Sequence, residues 1–155
     1  MGKLSATVSR AFADAYKDYA GRVVGLSEHL SDEQFWTKPY LYGNSFGHLV
    51  LHLTGNLNYY IGAQIAGTGY LRDREREFTE TVRLPKDDVL RDFDTTIAMV
   101  VSTLEAQTME GWSAPYAATD TEHEDRLSIV LKCAAHLHHH VGQMIYIEKE
   151  LQSVS

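Results

Sequence analysis

Apolar residues recur at intervals of three and four along four stretches of the chain, and each stretch reads as an amphipathic helix. Phe12, Tyr16, Tyr19, Val23, Leu26 and Leu30 mark the first. The pattern breaks in SDEQFWTKPYLYGN, where Pro39 and Gly43 punctuate the chain and the residue before the proline is turned away from helical angles. Ser45 is placed to cap a second helix running to about Ala66, with Leu49, His52, Leu53, Asn56, Tyr60 and Ala63 on one side. A long polar connection, GTGYLRDREREFTETVRLP, follows; its glycines stop the helix and its mixed charges suit a solvated segment. The third helix opens just after Pro85 on a stripe of Leu90, Phe93, Ile97, Val101 and Leu104. After MEGWSAPYAATDTEHED, whose EHED tetrad reads as a helix start, the fourth carries Ile129, Cys133, His136, His140, Gln143, Met144, Ile147 and Leu151 inward.

Strand patterns are weak, so the chain reads as an all-α four-helix bundle with long connections, one domain over residues 1–155. Two connections exceed about a dozen residues, longer than ordinary helix–helix loops. Such segments cover sites or cross over, and the up-and-down order of the helices stays open.

Composition narrows the function classes. A domain of 155 residues can bury about 70% of the surface of its unfolded chain, so a metal site here is read as functional before it is read as a staple. Cys133 is the only cysteine, which excludes an internal disulfide and a cysteine-rich zinc site. The start, MGKLSATVSR, has no apolar stretch of signal length, and no run approaches the roughly 20 apolar residues of a membrane span. A soluble cytoplasmic protein is expected. The net charge is −7, and the densest basic group, Arg72, Arg74 and Arg76, alternates with Asp73, Glu75 and Glu77. Nucleic acid, which calls for a basic stripe, is not an expected partner.

Candidate chemistry concentrates in HLHHHVGQ (136–143), which holds four of the eight histidines. His136 and His140, four apart, lie about 40° from each other around a helix, whereas His138 points nearly opposite His136. His136 and His140 are therefore candidate metal ligands, and His138 and His139 surface or interface residues. A catalytic zinc-type site takes three protein ligands and one open position. The third comes from another helix, where His48 and His52 are the candidates. His52 lies on the apolar stripe, where a buried imidazole needs a partner; His48 can be a fourth ligand, an orienting group or exposed. The competing reading is a set of histidines satisfied by ordinary hydrogen bonds. Gln143 and Asn56 can orient ligands, Cys133 reads as a small core residue, and Trp36, Tyr59, Tyr60 and Trp112 can line a pocket for an apolar molecule. No carboxylate is evident on the histidine faces.

Ser45–x6–His52, a long gap, then His136-x-x-x-His140-x-Gly142-Gln143 resembles the DinB-like superfamily, as do SFGHLVLHL and the FWTKPYLYGN loop in order and spacing. The resemblance covers essentially the whole chain. It implies a four-helix bundle with His52, His136 and His140 as ligands of a divalent metal, zinc or nickel in the first instance. His48 lies outside the family pattern. Relatives include transferases that use low-molecular-weight thiols such as bacillithiol or mycothiol, and others described as metal-dependent hydrolases. The expectation is a thiol-dependent S-transferase acting on a small electrophile, as a homodimer. The alternatives are a hydrolase using metal-bound water and a metal-binding or interaction module without catalysis.

Overall fold

A computed structural model describes residues 2–118 and 124–154. Among these residues there are no strands, and four long helices form the body: α1 (Gly2–Ser27), α3 (Phe46–Leu57), α5 (Lys86–Glu105) and α7 (Arg126–Ser153). Three short helices lie in the connections: α2 (Asp32–Trp36), α4 (Arg76–Thr79) and α6 (Met109–Trp112). No described helix is long and apolar enough to cross a membrane.

Local chemistry sets the helix ends. Ser45 caps α3 by accepting from the His48 backbone N–H, as its position in the sequence predicts. Asp125, the last residue of the EHED tetrad, caps α7 by accepting from Ser128 N; Glu122 and His123 of that tetrad lie outside the described residues. Within the stretch read as a break, Ser31 and Gln34 form a reciprocal capping box that starts α2. Its Phe35 and Trp36 are buried.

The buried stripes differ from the expected ones in instructive ways. On α1 the contact line is Ser5, Ser9, Ala13, Tyr16, Ala20, Val23 and Ser27, with Phe12, Tyr19 and Leu26 only flanking it. Small residues let α1 approach closely, and the serines find partners there: Ser5 Oγ donates to the Gln107 carbonyl and Ser9 Oγ accepts from Trp112 Nε1. Beyond Leu57 the second long helix continues as a π-helical segment, Asn58–Ala66, until Gly67 ends it at φ +68°. The wider turn puts Ile61 and Gly62, rather than Ala63, in the buried position. On α5, Val100 is buried and Val101 only partly so.

Contacts between helices give the topology. The end of α1 meets the start of α5, where Lys86 Nζ donates to the carbonyls of Ser27 and Leu30. α1 and α7 run the same way, linked by Tyr16 to the Val130 carbonyl near one end and His29 to Glu148 near the other. α3 and α7 are antiparallel, since Tyr40, just before α3, reaches the Tyr146 carbonyl, and His52 reaches His136. α3 and α5 are parallel, with Asn58 donating to Thr96. The order is up–down–down–up. Two consecutive helices that run the same way need a connection that climbs back the full height of the bundle, and residues 67–85 do this along the outside of α3.

Two glycines test the packing with opposite signs. A methyl group on Gly47, in the first turn of α3, would come within 2.7 Å of Trp36 and 2.8 Å of Phe35, whereas one on Gly142 meets nothing within 4 Å. Gly142→Ala is expected to stabilise the fold by up to about 1 kcal/mol through helix propensity. Gly47→Ala should instead destabilise it by about 1–3 kcal/mol from overpacking. Urea unfolding midpoints of the two variants check both signs.

Candidate metal centre

His52 on α3 and His136 and His140 on α7 converge across the antiparallel seam. His136 Nε2 lies 3.0 Å from His52 Nε2 and 3.0 Å from His140 Nε2. The rings stand nearly perpendicular, at 76°, 86° and 88° for the three pairs. The spacing of four residues within α7 and the antiparallel register with α3 bring the three together. His52 is buried and the α7 pair half-buried at the edge of the seam.

The far nitrogens show how the rings are held. His52 Nδ1 donates to Glu77 Oε2 at 2.8 Å, and His140 Nδ1 donates to Gln143 Oε1 at 2.7 Å. With their protons on Nδ1, both rings turn an Nε2 lone pair towards His136. His136 Nε2 can carry one proton and satisfy only one of them. The cluster therefore has more lone pairs than protons to fill them, and His136 Nδ1 is a buried atom without a partner. A cation answers that imbalance. Tetrahedral zinc at 2.0–2.1 Å from nitrogen implies nitrogens about 3.3 Å apart, close to the spacings here, so the residues present fit a divalent ion. His52, His136 and His140 are the described residues whose ligand atoms group in this way.

Electrostatics keep the cluster ready at neutral pH. Burial, followed by the neighbouring His140 and His52, pushes His136 down to about 3; burial likewise brings His140 down to about 4 against the Gln143 hydrogen bond. Both rings are then neutral, the form that ligates.

Behind His52 stands an ion pair that the sequence reading missed. Glu77 from α4 is 6% exposed and is gripped by Arg72, whose Nε donates to Oε1 at 2.7 Å and Nη2 to Oε2 at 2.9 Å. Burial raises the Glu77 carboxyl, but the hydrogen bonds from His52 and Arg72 outweigh it and hold the group below its usual value. Glu77 can lie this close to α3 because position 55 is glycine: a methyl group there would overlap Oε1 and stand 2.8 Å from Cδ. The RDREREF segment thus closes over the helix that carries His52. Its signal in the sequence was Phe78, an aromatic residue inside a charged run, whose ring packs 4.7 Å from His52.

The other candidates separate cleanly. His48 is buried but faces away from the cluster: Nε2 donates to the Glu80 carbonyl and Nδ1 accepts from Ser45 Oγ, so both nitrogens are used in tying the crossover to α3. His138 and His139 are exposed, as expected, with His138 stacked on Tyr19. Gln143 is exposed rather than inward, yet it orients His140. Trp36 and Trp112 are buried anchors, donating to the Leu84 carbonyl and Ser9 Oγ, whereas Tyr60 lines a cavity beside His52 and His136. Cys133 is buried, and burial pushes its thiol up to about 12, which fits a core residue and not a nucleophile.

Two cavities flank the cluster along the seam. One of about 330 Å³ lies towards the start of α3 and is lined by Tyr40, Tyr42, Leu49, Gln143, Tyr146 and Ile147 among others. The second, of about 190 Å³, lies towards the end of α3 and includes His52, Asn56, Arg72, Arg74, Lys132 and His136.

The fold and site together define a class: a four-helix bundle in which three histidines from two antiparallel helices converge, backed by a buried ion pair from a crossover. The chain belongs to the family described as "Protein of unknown function (DUF1572)", whose sequence model matches residues 4–155. A search of curated proteins finds no match.

Two measurements test this electrostatic arrangement. Glu77→Ala leaves the nearly buried Arg72 guanidinium unpaired and should cost about 3–5 kcal/mol in denaturant unfolding. The pH dependence of the metal-free protein has a definite sign. His136 and His140 bind protons at about 6.5 when unfolded but only near 3 and 4 when folded. Their contribution is fully present above pH about 6.5 and is lost as pH falls towards those values. Glu77, held below its usual value, adds a loss at acid pH with the same sign. Thermal melts after chelation should fall steadily below pH about 6.5 and be flat, for these groups, above it.

Proposed function

We propose that this protein is a metal-dependent enzyme of the DinB-like superfamily, a thiol-dependent S-transferase acting on small electrophiles, with His52, His136 and His140 holding zinc or nickel. The observation that carries the reading is the convergence of three Nε2 atoms whose rings are turned by Glu77 and Gln143 so that lone pairs, not protons, meet. A bound divalent ion there supplies a positive charge that lowers the pKa of a coordinated thiol or water.

The surrounding residues favour the thiol. A hydrolase built on bound water calls for a positioned general base. Glu77, the carboxylate that contacts His52, is saturated by His52 and Arg72 on the far side of the ring. A thiol that loses its proton to solvent on binding needs no such base; its sulfur attacks the electrophilic carbon, and the leaving group departs with the bonding pair. The aromatic cavity lined by Gln143, the partner of His140, with Tyr40 and Tyr42 stacked at 8° and 5.6 Å, suits the apolar body of that electrophile. The protein acts as a homodimer in the cytoplasm, and the exposed His138 and His139 on α7 are available to its interface.

Protein purified without an immobilised-nickel column should contain close to one equivalent of metal per chain by elemental analysis. His140→Ala should abolish it and His138→Ala leave it unchanged; less than about a tenth of an equivalent, with no affinity on titration, sinks the reading. Glu77→Gln keeps the shape but removes the charge behind His52 and should weaken metal binding about 10–100-fold. With metal in place, thiol cofactors screened against epoxides and chloro-nitroaromatics should yield thioethers. Ester or amide cleavage without thiol would replace the transferase by a hydrolase.

A further inference from the structure

The cavity of about 190 Å³ beside the cluster has an unusual wall. The chain carries 21 acidic against 14 basic residues, so a patch of its surface taken at random is richer in carboxylates. The described residues lining this cavity include Arg72, Arg74 and Lys132 and no acid at all. Arg72 is committed to Glu77. Arg74 and Lys132 have no ion-pair partner among the described residues; Arg74 lies over the Phe78 ring at 5.7 Å. The two cations come from different elements, the crossover and α7, and the fold brings them to one place.

A second observation is independent of charge. Among the described residues just two buried side-chain polar atoms lack a hydrogen-bond partner, Asn56 Oδ1 and His136 Nδ1. Both residues line this cavity. Leaving a buried acceptor unpaired costs free energy that a donor on a ligand recovers. Asn56 is 8% exposed, so its amide is held in place by packing.

We propose that this cavity is the binding site for a carboxylate-bearing arm of the thiol substrate, with Arg74 and Lys132 taking the carboxylate and Asn56 Oδ1 accepting from an amide N–H or hydroxyl next to it. The volume, about 190 Å³, equals that of about six water molecules, enough for a short acylamino- or hydroxy-carboxylate. An ammonium is disfavoured as the donor because it would sit beside two cations. A phosphate monoester dianion has no O–H of its own to offer Asn56. The assignment rests on the transferase reading in placing the thiol end at the histidines, whereas the carboxylate contact stands without metal.

The test uses N-acetylcysteine and its neutral amide, which differ only in the charge of the arm, titrated calorimetrically into zinc-loaded and metal-free protein. The acid should bind about tenfold more tightly than the amide in both forms, the size expected of one charge-assisted contact. Arg74→Glu and Lys132→Glu, both at exposed positions, should erase that preference while leaving metal content unchanged. Asn56→Ala should weaken acid and amide alike, by about two- to tenfold. Equal affinity of acid and amide, a preference untouched by the charge reversals, or no measurable binding of the acid overturns the proposal. Competition by inorganic phosphate as strong as by the acid replaces the carboxylate with a general anion. Failure of the metal reading is seen separately, as protein that takes up no zinc yet still prefers the acid.

Discussion

A carboxylate withdrawn from water must be compensated where it lies, and in this protein Glu77 is that carboxylate. The Arg72 guanidinium takes both of its oxygens, and His52 Nδ1 shares Oε2. The requirement reaches outwards through the structure. The backbone of α3 must be bare at position 55 to admit the group. The segment carrying it must pass along the outer side of α3, which follows from α3 and α5 running in the same direction. The ring of His52 must present Nδ1 to the crossover and therefore Nε2 to α7. Removing the carboxylate strands a cation and frees a ring at once, so the pair couples the stability of the connection to the orientation of a candidate ligand.

Much of this was legible in the residues themselves. The spacing of His136 and His140 places them on one helical face, and the apolar neighbours of His52 mark it as an imidazole that needs a partner. Ser45 and Pro85 locate two helix starts. What was not legible follows from what periodicity measures. It ranks apolar side chains, so it passed over the serine and alanine contact line of α1, where close approach matters more than hydrophobicity. It assumes an α-helical pitch, so it misplaced the buried face beyond Leu57, where the turn widens. It also treats a charged run as solvated. Asp73, Arg74, Glu75 and Arg76 are exposed, as that reading expects, but Glu77 is buried against the Arg72 guanidinium five residues earlier, a pairing that appears only once the direction of α3 relative to α5 is known. His48 and His52 look equivalent as a pair four apart, and it is the partner each finds on the crossover, a backbone carbonyl for one and a carboxylate for the other, that separates them.

The seam between α3 and α7 has a polarity of its own. Towards the start of α3 it opens onto tyrosines and aliphatic side chains, and towards its end onto cations and an unpaired amide oxygen. The histidines stand between the two. Gln143 belongs to both the aromatic wall and the hydrogen bond that sets His140, so occupancy on that side and ring orientation at the cluster are mechanically joined.

The route of the chain also sets the order in which the parts can come together. His52 and Glu77 are 25 residues apart in sequence, whereas His52 and His136 are 84 apart. Closing the longer loop costs about 1 kcal/mol more in chain entropy, and during synthesis α7 emerges after α3 and α4. The buttress on His52 can form before either histidine of α7 exists to meet it, and those two arrive already paired on a single helix. The histidine cluster is therefore a marker of completed folding: a chain arrested before α7 docks has a prepared imidazole and nothing for it to face.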